Sequence, residues 1–129
     1  MKAAPRWLEP QALLLLHAEA IAQFGGALGT VDHARFSSAL ARPVDRLAYE
    51  PTSDLADLAA AYGFGLAKNH AFTDGNKRIA FLAVLLFLKR NGLRFKATQI
   101  DAIRTIEGLA AGSVSESQLA DWIRANTEV

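Results

Sequence analysis

The stretch HAFTDGNKRIAFLAVLLFLKRNG, residues 70–92, decides the fold of this chain. Its second half is apolar without interruption from Ile79 to Leu88, and it closes on Gly92, a residue type that commonly ends a helix in the left-handed conformation. A helix that is apolar on nearly all sides has to be enclosed by other elements. We therefore predict a central helix over about residues 75–91, with the rest of the chain packed around it.

Five further segments have helical periodicity or helix-capping residues at their starts. They are predicted to begin at Pro10, after Asp32, after Ser53 or Asp54, after Thr98 and after Ser115. The first is predicted to bury Leu13, Leu16, Ala20 and Phe24, and the helix after Thr98 to bury Ile100, Ile103, Ile106 and Ala110. Gly63 and Gly65 each cost about 1 kcal/mol inside a helix, so they predict close approach of a neighbouring backbone. With the central helix these segments make six, and the predicted fold class is all-α.

One segment does not fit the helical pattern. Pro43 is expected to end the helix that Asp32 caps, at about Leu40. The residues that follow, RPVDRLAYEPTS at 42–53, contain two prolines and no sustained period. They are predicted to form a short flap-like loop or hairpin.

Length and composition set limits on the function. A chain of 129 residues is long enough for a core without disulfides, so we expect residues 1–129 to form a single domain. The absence of cysteine excludes a cysteine-ligated metal, and a net charge of +1 gives no broad basic field for direct nucleic acid binding. The apolar run is about half the length that a bilayer requires, and the first ten residues lack a signal-peptide core. We expect a soluble, cytoplasmic protein with no membrane contact.

The first half of the quoted stretch, residues 70–78, is predicted to join the third helix to the central one. Amides near Gly75, Asn76 and Lys77 have no carbonyl partner within the helix, so together with the helix dipole they form an anion site. Lys77 and Arg78 put two cations in the first turn, where the dipole disfavours each by up to about 1 kcal/mol. A bound phosphate chain would make both of these charges favourable.

His70 and Asp74 supply the other groups that phosphate chemistry needs. His70 can accept a proton from a hydroxyl, and Asp74 can hold Mg²⁺ through oxygen. Phe72, between them, is predicted to hold the junction in the core. Because phosphoryl or nucleotidyl transfer consists largely of positioning and charge neutralisation, this set of residues suits either reaction.

A purely structural explanation exists for each of these residues. His70 suits the C-terminus of a helix, Asp74 suits an N-cap, and Gly75 suits a turn. Lys77 and Arg78 would then belong to a solvated rim. These explanations account less well for the residues as a set, and both interpretations stay open on the residues alone.

The junction resembles the motif of the Fic/Doc superfamily, H-x-F-x-[D/E]-[GA]-N-[GK]-R. The matching residues are His70, Phe72, Asp74, Gly75, Asn76, Lys77 and Arg78. The similarity to the death-on-curing (Doc) toxins of toxin–antitoxin systems extends through FGG at 24–26, LAYE at 47–50 and LLFLKRNG at 85–92. Most Fic proteins have glycine in place of Lys77 and a second arginine in place of Phe81, and both departures are those of the Doc branch.

The resemblance implies a Fic fold and a kinase-type reaction. Doc toxins are understood to present the γ-phosphate of ATP and to phosphorylate a threonine of elongation factor Tu, which stops translation. By position, His70 would be the base and Asp74 the Mg²⁺ ligand, and the phosphate contacts would come from Gly75, Asn76, Lys77 and Arg78. The segment around residues 43–51 would correspond to the flap that docks the target.

The resemblance also implies regulation by a second chain. No glutamate has serine or threonine four positions before it, as the self-inhibiting helix of some Fic proteins requires. A cognate antitoxin that lays a helix into a groove is therefore expected. His17 is interpreted as a half-buried core histidine or as the edge of such a groove, and His33 as a surface residue. Two alternatives to a kinase stay open: an adenylyltransferase that moves AMP to a protein hydroxyl, and a non-catalytic module with a vestigial anion site.

Overall fold

The computed structural model describes residues 4–129. Its helices are α1 (Pro10–Phe24), α2 (His33–Tyr49), α3 (Leu55–Asn69), α4 (Asn76–Arg90), α5 (Gln99–Ala111) and α6 (Glu116–Ala125). Two short strands, β1 (Arg94–Phe95) and β2 (Thr127–Glu128), pair antiparallel. The prediction of an all-α fold with six helices is confirmed. Within the described residues, no helix is both long and apolar enough to cross a membrane.

The core lies around α3 and α4, which pack against each other at the centre. The predicted central helix α4 buries Ile79, Ala80, Ala83, Val84, Phe87 and Leu88. Helix α3 is enclosed still further, because α2, α4, α5 and α6 all pack against it. At Gly65, an added Cβ would lie 3.1 Å from the carbonyl oxygen of Ala39 in α2. The predicted close approach of a neighbouring backbone is confirmed at this glycine.

The prediction that Pro43 ends α2 is wrong. The helix continues through Pro43 to Tyr49, so only a short connection from Glu50 to Asp54 separates it from α3. A proline inside a helix costs about 3 kcal/mol, and packing against α3 outweighs this cost. The part after Pro43 is also tied to α6, since Arg46 donates to Glu116 over 2.8 Å. The predicted flap-like loop at 42–53 is therefore mostly helical.

Two of the predicted inward-facing sets are partly wrong. In α1, Phe24 is 61% exposed, and in α5 Ile100 and Ile103 are 65% and 55% exposed. The residues that α5 does bury are Ala102, Ile106 and Leu109. The predicted and the observed buried residues of α5 both fit the helical period and both include Ile106, so residue spacing alone could not choose between the two sets. Helix α5 lies at the edge of the fold, where one narrow face is enough to cover α3 and α4.

Candidate functional site

The predicted site residues lie in the loop between α3 and α4 and in the first turn of α4. His70 directly follows α3 and adopts the left-handed conformation, with φ 52° and ψ 48°. It is the one non-glycine residue within 4–129 that has positive φ. This conformation costs about 1–2 kcal/mol, and such strain is concentrated at functional sites. The His70 side chain is exposed at the surface.

Phe72 is held in the core from two sides. Its ring is 4% exposed and stacks on His17, with centroids 3.9 Å apart, and it meets Phe36 edge-on at 5.5 Å. The Phe72 backbone forms an antiparallel bridge with Val31, next to a hydrogen bond of 2.7 Å from the N–H of Asp32 to the carbonyl of Ala71. The ring and the backbone together fix the middle of the loop.

Asn76 closes the loop with its side-chain amide. Its Oδ1 accepts from the N–H of Phe72 over 3.1 Å, and its Nδ2 donates to the carbonyl of Phe72 over 2.9 Å. The side chain that was predicted to contact phosphate is thus engaged with the backbone. A phosphate contact from Asn76 would come from its own N–H, since no side chain caps the start of α4.

Asp74 presents an exposed carboxylate that two backbone donors orient. Its Oδ2 accepts from the N–H of Ala27 over 3.2 Å, and its Oδ1 accepts from the N–H of Gly75 over 2.8 Å. These hydrogen bonds, the one from Ala27 first, lower the pKa of Asp74 from its ordinary value, and the positive charge of Arg78 adds to the effect. The carboxylate is therefore ionised at neutral pH, which is the state that a Mg²⁺ ligand requires.

The first turn of α4 begins with Gly75 in the left-handed conformation, at φ 78°. An added Cβ there would meet Ile21 at 3.2 Å, so glycine fits both the backbone angle and the space. The side chains of the two cationic residues extend towards different neighbouring helices. Lys77 donates to Glu107 of α5 over 3.0 Å, whereas the guanidinium of Arg78 lies 4.9 Å from the ring centroid of Phe24 in α1.

The loop from residue 25 to residue 32 covers the junction and was missed as part of the site. The hydroxyl of Thr73 accepts from the N–H of Thr30 over 3.0 Å and donates to the carbonyl of Thr30 over 3.2 Å. An added Cβ at Gly26 would lie 2.8 Å from Oδ2 of Asp74. In the sequence, the glycines of GGALG at 25–29 were the feature that could have identified this loop as part of the site. Hydrogen bonds of Ala27 and Thr30 thus tie this loop to the junction.

His17 and His33 differ in burial, and the surface beside His70 is open. His17 is 2% exposed, so it is neither half-buried nor the edge of a groove, whereas His33 is at the surface, as predicted. An open depression of about 580 Å³ adjoins His70 and is lined by Ala34, Arg35, Ser38, Lys68, Asn69 and His70. Residues 4–129 contain no cluster of three or more histidine or carboxylate side chains that could hold a metal by itself.

Comparison with known proteins agrees with the motif. Residues 7–88 match the model of the Fic/DOC family. The chain is 38% identical over 119 residues to "Protein kinase doc" of Escherichia phage P1, an alignment that covers 92% of this chain and 94% of the phage protein. It is 42% identical over 75 residues to "Toxin Doc" of Mycolicibacterium smegmatis, which covers 57% of this chain and 58% of that toxin.

Proposed function

The chain belongs to the Fic/DOC family, and on that premise we propose that it is a Doc-type toxin that transfers the γ-phosphate of ATP to a threonine hydroxyl of elongation factor Tu. One observation carries the proposal: a single loop brings an exposed histidine and an oriented carboxylate to the uncapped start of a helix that has two cations in its first turn. Phosphoryl transfer depends on this combination of positioning and charge. The similarity to a phage protein named as a kinase supports the same reaction.

The proposed position of the phosphate chain is the start of α4. The free N–H groups of residues 76–78 and the positive end of the helix dipole would face the phosphate oxygens. Lys77 and Arg78, both exposed, would supply two full positive charges. The ion pair of Lys77 with Glu107 is exposed and worth at most about 1 kcal/mol, so it would not prevent Lys77 from turning to a phosphate.

Asp74 is the proposed ligand for Mg²⁺. Mg²⁺ is commonly held by one or two carboxylates together with substrate phosphates and water, so a single ionised carboxylate next to a phosphate site fits this metal. When bound there, the ion would neutralise charge that develops on the phosphate oxygens. The role of the protein is to keep the carboxylate oriented through the N–H groups of Ala27 and Gly75.

His70 is the proposed general base. The target would enter the depression beside His70, and the imidazole would accept the proton of the threonine hydroxyl. The hydroxyl oxygen would form the new bond to the γ-phosphorus as the bond between that phosphorus and the bridging oxygen of ADP breaks. The left-handed backbone at residue 70 would hold the imidazole outside the helix, where a protein substrate can reach it.

A cognate antitoxin is the proposed regulator. The sequence lacks the glutamate pattern of self-inhibiting Fic proteins, and one relative is named as a toxin. An antitoxin helix that lies in a groove of this chain would block the site or the target surface. Growth arrest on expression of the chain, relieved by the neighbouring gene product, would support this part of the proposal.

The reaction is tested by label transfer from ATP to purified elongation factor Tu in the presence of Mg²⁺. With γ-labelled ATP the factor should become labelled on threonine, and the His70→Asn variant should give no label above background. Label from α-labelled ATP alone would identify an adenylyltransferase instead. Absence of transfer from either nucleotide, to this factor or to a cell lysate, would favour a non-catalytic module.

A further inference from the structure

Apart from Tyr62, whose hydroxyl accepts from the N–H of Leu8, His17 is the one polar side chain that is fully buried within residues 4–129. It lies in α1, where the other buried residues, Leu13, Ala20 and Ile21, are all apolar. A polar ring in the core is costly unless it is hydrogen-bonded. Its Nε2 lies 2.7 Å from the backbone carbonyl oxygen of Asp74. Because a carbonyl oxygen can only accept, Nε2 must carry the hydrogen and donate it.

The hydrogen bond and the aromatic stacking of His17 both lie at the candidate site. Its ring stacks on Phe72 with an interplanar angle of 20°, and its Nε2 lies 3.4 Å from the position that a Cβ would take at Gly75. A leucine or phenylalanine could fill the same space without any polar atom to satisfy. The imidazole therefore adds one thing that an apolar residue cannot supply, a hydrogen bond to the peptide group between Asp74 and Gly75.

That peptide group connects the core to the candidate metal ligand. A trans peptide is planar, and its C=O and N–H point in opposite directions. The C=O of Asp74 points to His17, so the N–H of Gly75 points away from the core, where it donates to Oδ1 of Asp74 over 2.8 Å. Holding the carbonyl inward therefore holds the donor that orients the Asp74 carboxylate.

Because Gly75 follows it, this peptide group is able to rotate by half a turn. A peptide plane that precedes glycine can rotate because glycine accepts both signs of φ, as in the two common β-turn types. A reversed plane would direct a carbonyl oxygen outward and would remove the N–H that holds the carboxylate. An outward oxygen would also repel an anion at the start of α4.

We propose that His17 is a positioning residue that locks the Asp74–Gly75 peptide group with its N–H outward, and so prepares the carboxylate and the anion site for their ligands. The contribution to catalysis rests on the proposed function, whereas the lock itself does not. His17 would touch no substrate. Its effect would reach the reaction through Asp74 and the start of α4.

Two variants separate the lock from simple packing. His17→Phe keeps an aromatic ring against Phe72 but has no donor. His17→Gln loses the ring but keeps a donor, since Nε2 of glutamine is the same number of bonds from Cα as Nε2 of histidine. A packing role predicts that the Phe variant is the better of the two. The lock predicts the reverse order.

Amide hydrogen exchange tests the lock without any substrate. In His17→Phe the N–H of Gly75 should exchange about tenfold faster than in the wild type, because the peptide group is free to turn. In His17→Gln the rate should stay within about threefold of the wild type. The N–H of Ile79, which donates to the carbonyl of Gly75 over 2.9 Å, reports whether α4 is still formed. Equal exchange at Gly75 in the wild type and the Phe variant would overturn the lock.

Transfer kinetics then test whether the lock on the Asp74–Gly75 peptide group contributes to the reaction. The kcat of His17→Phe should fall about 10- to 100-fold, with a raised Mg²⁺ requirement, and His17→Gln should recover most of the loss. If the Phe variant does not fold, the Gln variant decides, since fast exchange at Gly75 despite a retained donor would contradict the proposal. If the wild-type protein transfers no label, but Gly75 exchanges in the two His17 variants as predicted, the proposed function is refuted and the lock is retained.

Discussion

Helices α3 and α4 start in opposite ways, although both starts face the same physical problem of unpaired amides and a positive dipole end. At α3, the Asp54 side chain accepts from the N–H of Asp57 over 2.9 Å, and the Asp57 side chain accepts from the N–H of Asp54 over 3.0 Å. Arg124 of α6 then bonds both carboxylates. At α4 the cap is Gly75, with no side-chain hydrogen bond, and the first turn contains cations.

The difference shows what each helix start is for. Hydrogen bonds from Arg124 are the main cause that lowers the pKa of Asp54 to about 2, so the start of α3 is an internally satisfied structural joint. The start of α4 has backbone donors that no side chain caps, and its first turn contains two cations and no acidic residue. It costs stability in the free protein, and an anionic ligand would reverse that cost. Substitutions at the two helix starts test this contrast.

The largest effect is expected at His70. His70→Asn keeps a residue type that tolerates the left-handed conformation, so the fold should be retained. Loss of the general base should lower the transfer rate by about 100- to 10,000-fold. The matched control is His33→Asn, which removes another exposed histidine and should leave transfer unchanged. A His70 variant that transfers phosphate at the wild-type rate would remove His70 from the mechanism.

Replacing the aspartate at each helix start should give opposite results. Asp74→Ala should lower Mg²⁺-dependent transfer by about 100-fold, because the oriented carboxylate is lost. Its melting temperature should stay close to that of the wild type, since the carboxylate is exposed. Asp54→Ala should leave transfer per folded molecule unchanged and should cost about 1 kcal/mol as a lost cap, or about 4 °C in melting temperature.

Thermal melts and initial rates on the same two samples measure this crossover. A clear stability loss in Asp74→Ala with little change in rate would mean that Asp74 is a structural cap, like Asp54. The two sites would then differ only in exposure, and the contrast between α3 and α4 would lose its functional meaning.

A smaller effect is expected at Lys77. Lys77→Ala should weaken γ-phosphate transfer about tenfold, since one charge-assisted hydrogen bond to phosphate is lost. Lys77→Gly should do the same, and it should also open space that could allow AMP transfer, which the α-labelled nucleotide would detect. Lys89→Ala, at the other end of α4, is the control. Unchanged rates in both Lys77 variants would exclude this side chain from the mechanism.

The sequence was sufficient where the signal was local. Capping residues such as Asp54 and Ser115 marked helix starts correctly, because an N-cap depends on its own next three residues. The apolar run from Ile79 identified a core helix for the same reason.

Prediction from the sequence failed where tertiary contacts decide the local structure or the burial of a residue. Pro43 lies inside a helix because contacts with α3 and α6 outweigh its local penalty. Ile100 is exposed because α5 lies at the edge of the fold. The role of Asn76 in closing the loop, and the cover that the loop at 25–32 gives to Asp74, depend on contacts between distant segments. The motif identified the residues of the site but could not give the contacts that shape it.

The central claim is that a nucleotide triphosphate binds with its γ-phosphate at the start of α4, next to His70. A crystal structure with Mg²⁺ and a nonhydrolysable ATP analogue tests it most directly. We expect the γ-phosphate at the N–H groups of residues 76–78, Mg²⁺ on Asp74, and the imidazole of His70 within reach of the phosphorus. An analogue bound elsewhere, with the start of α4 unoccupied at saturating nucleotide, would contradict the account.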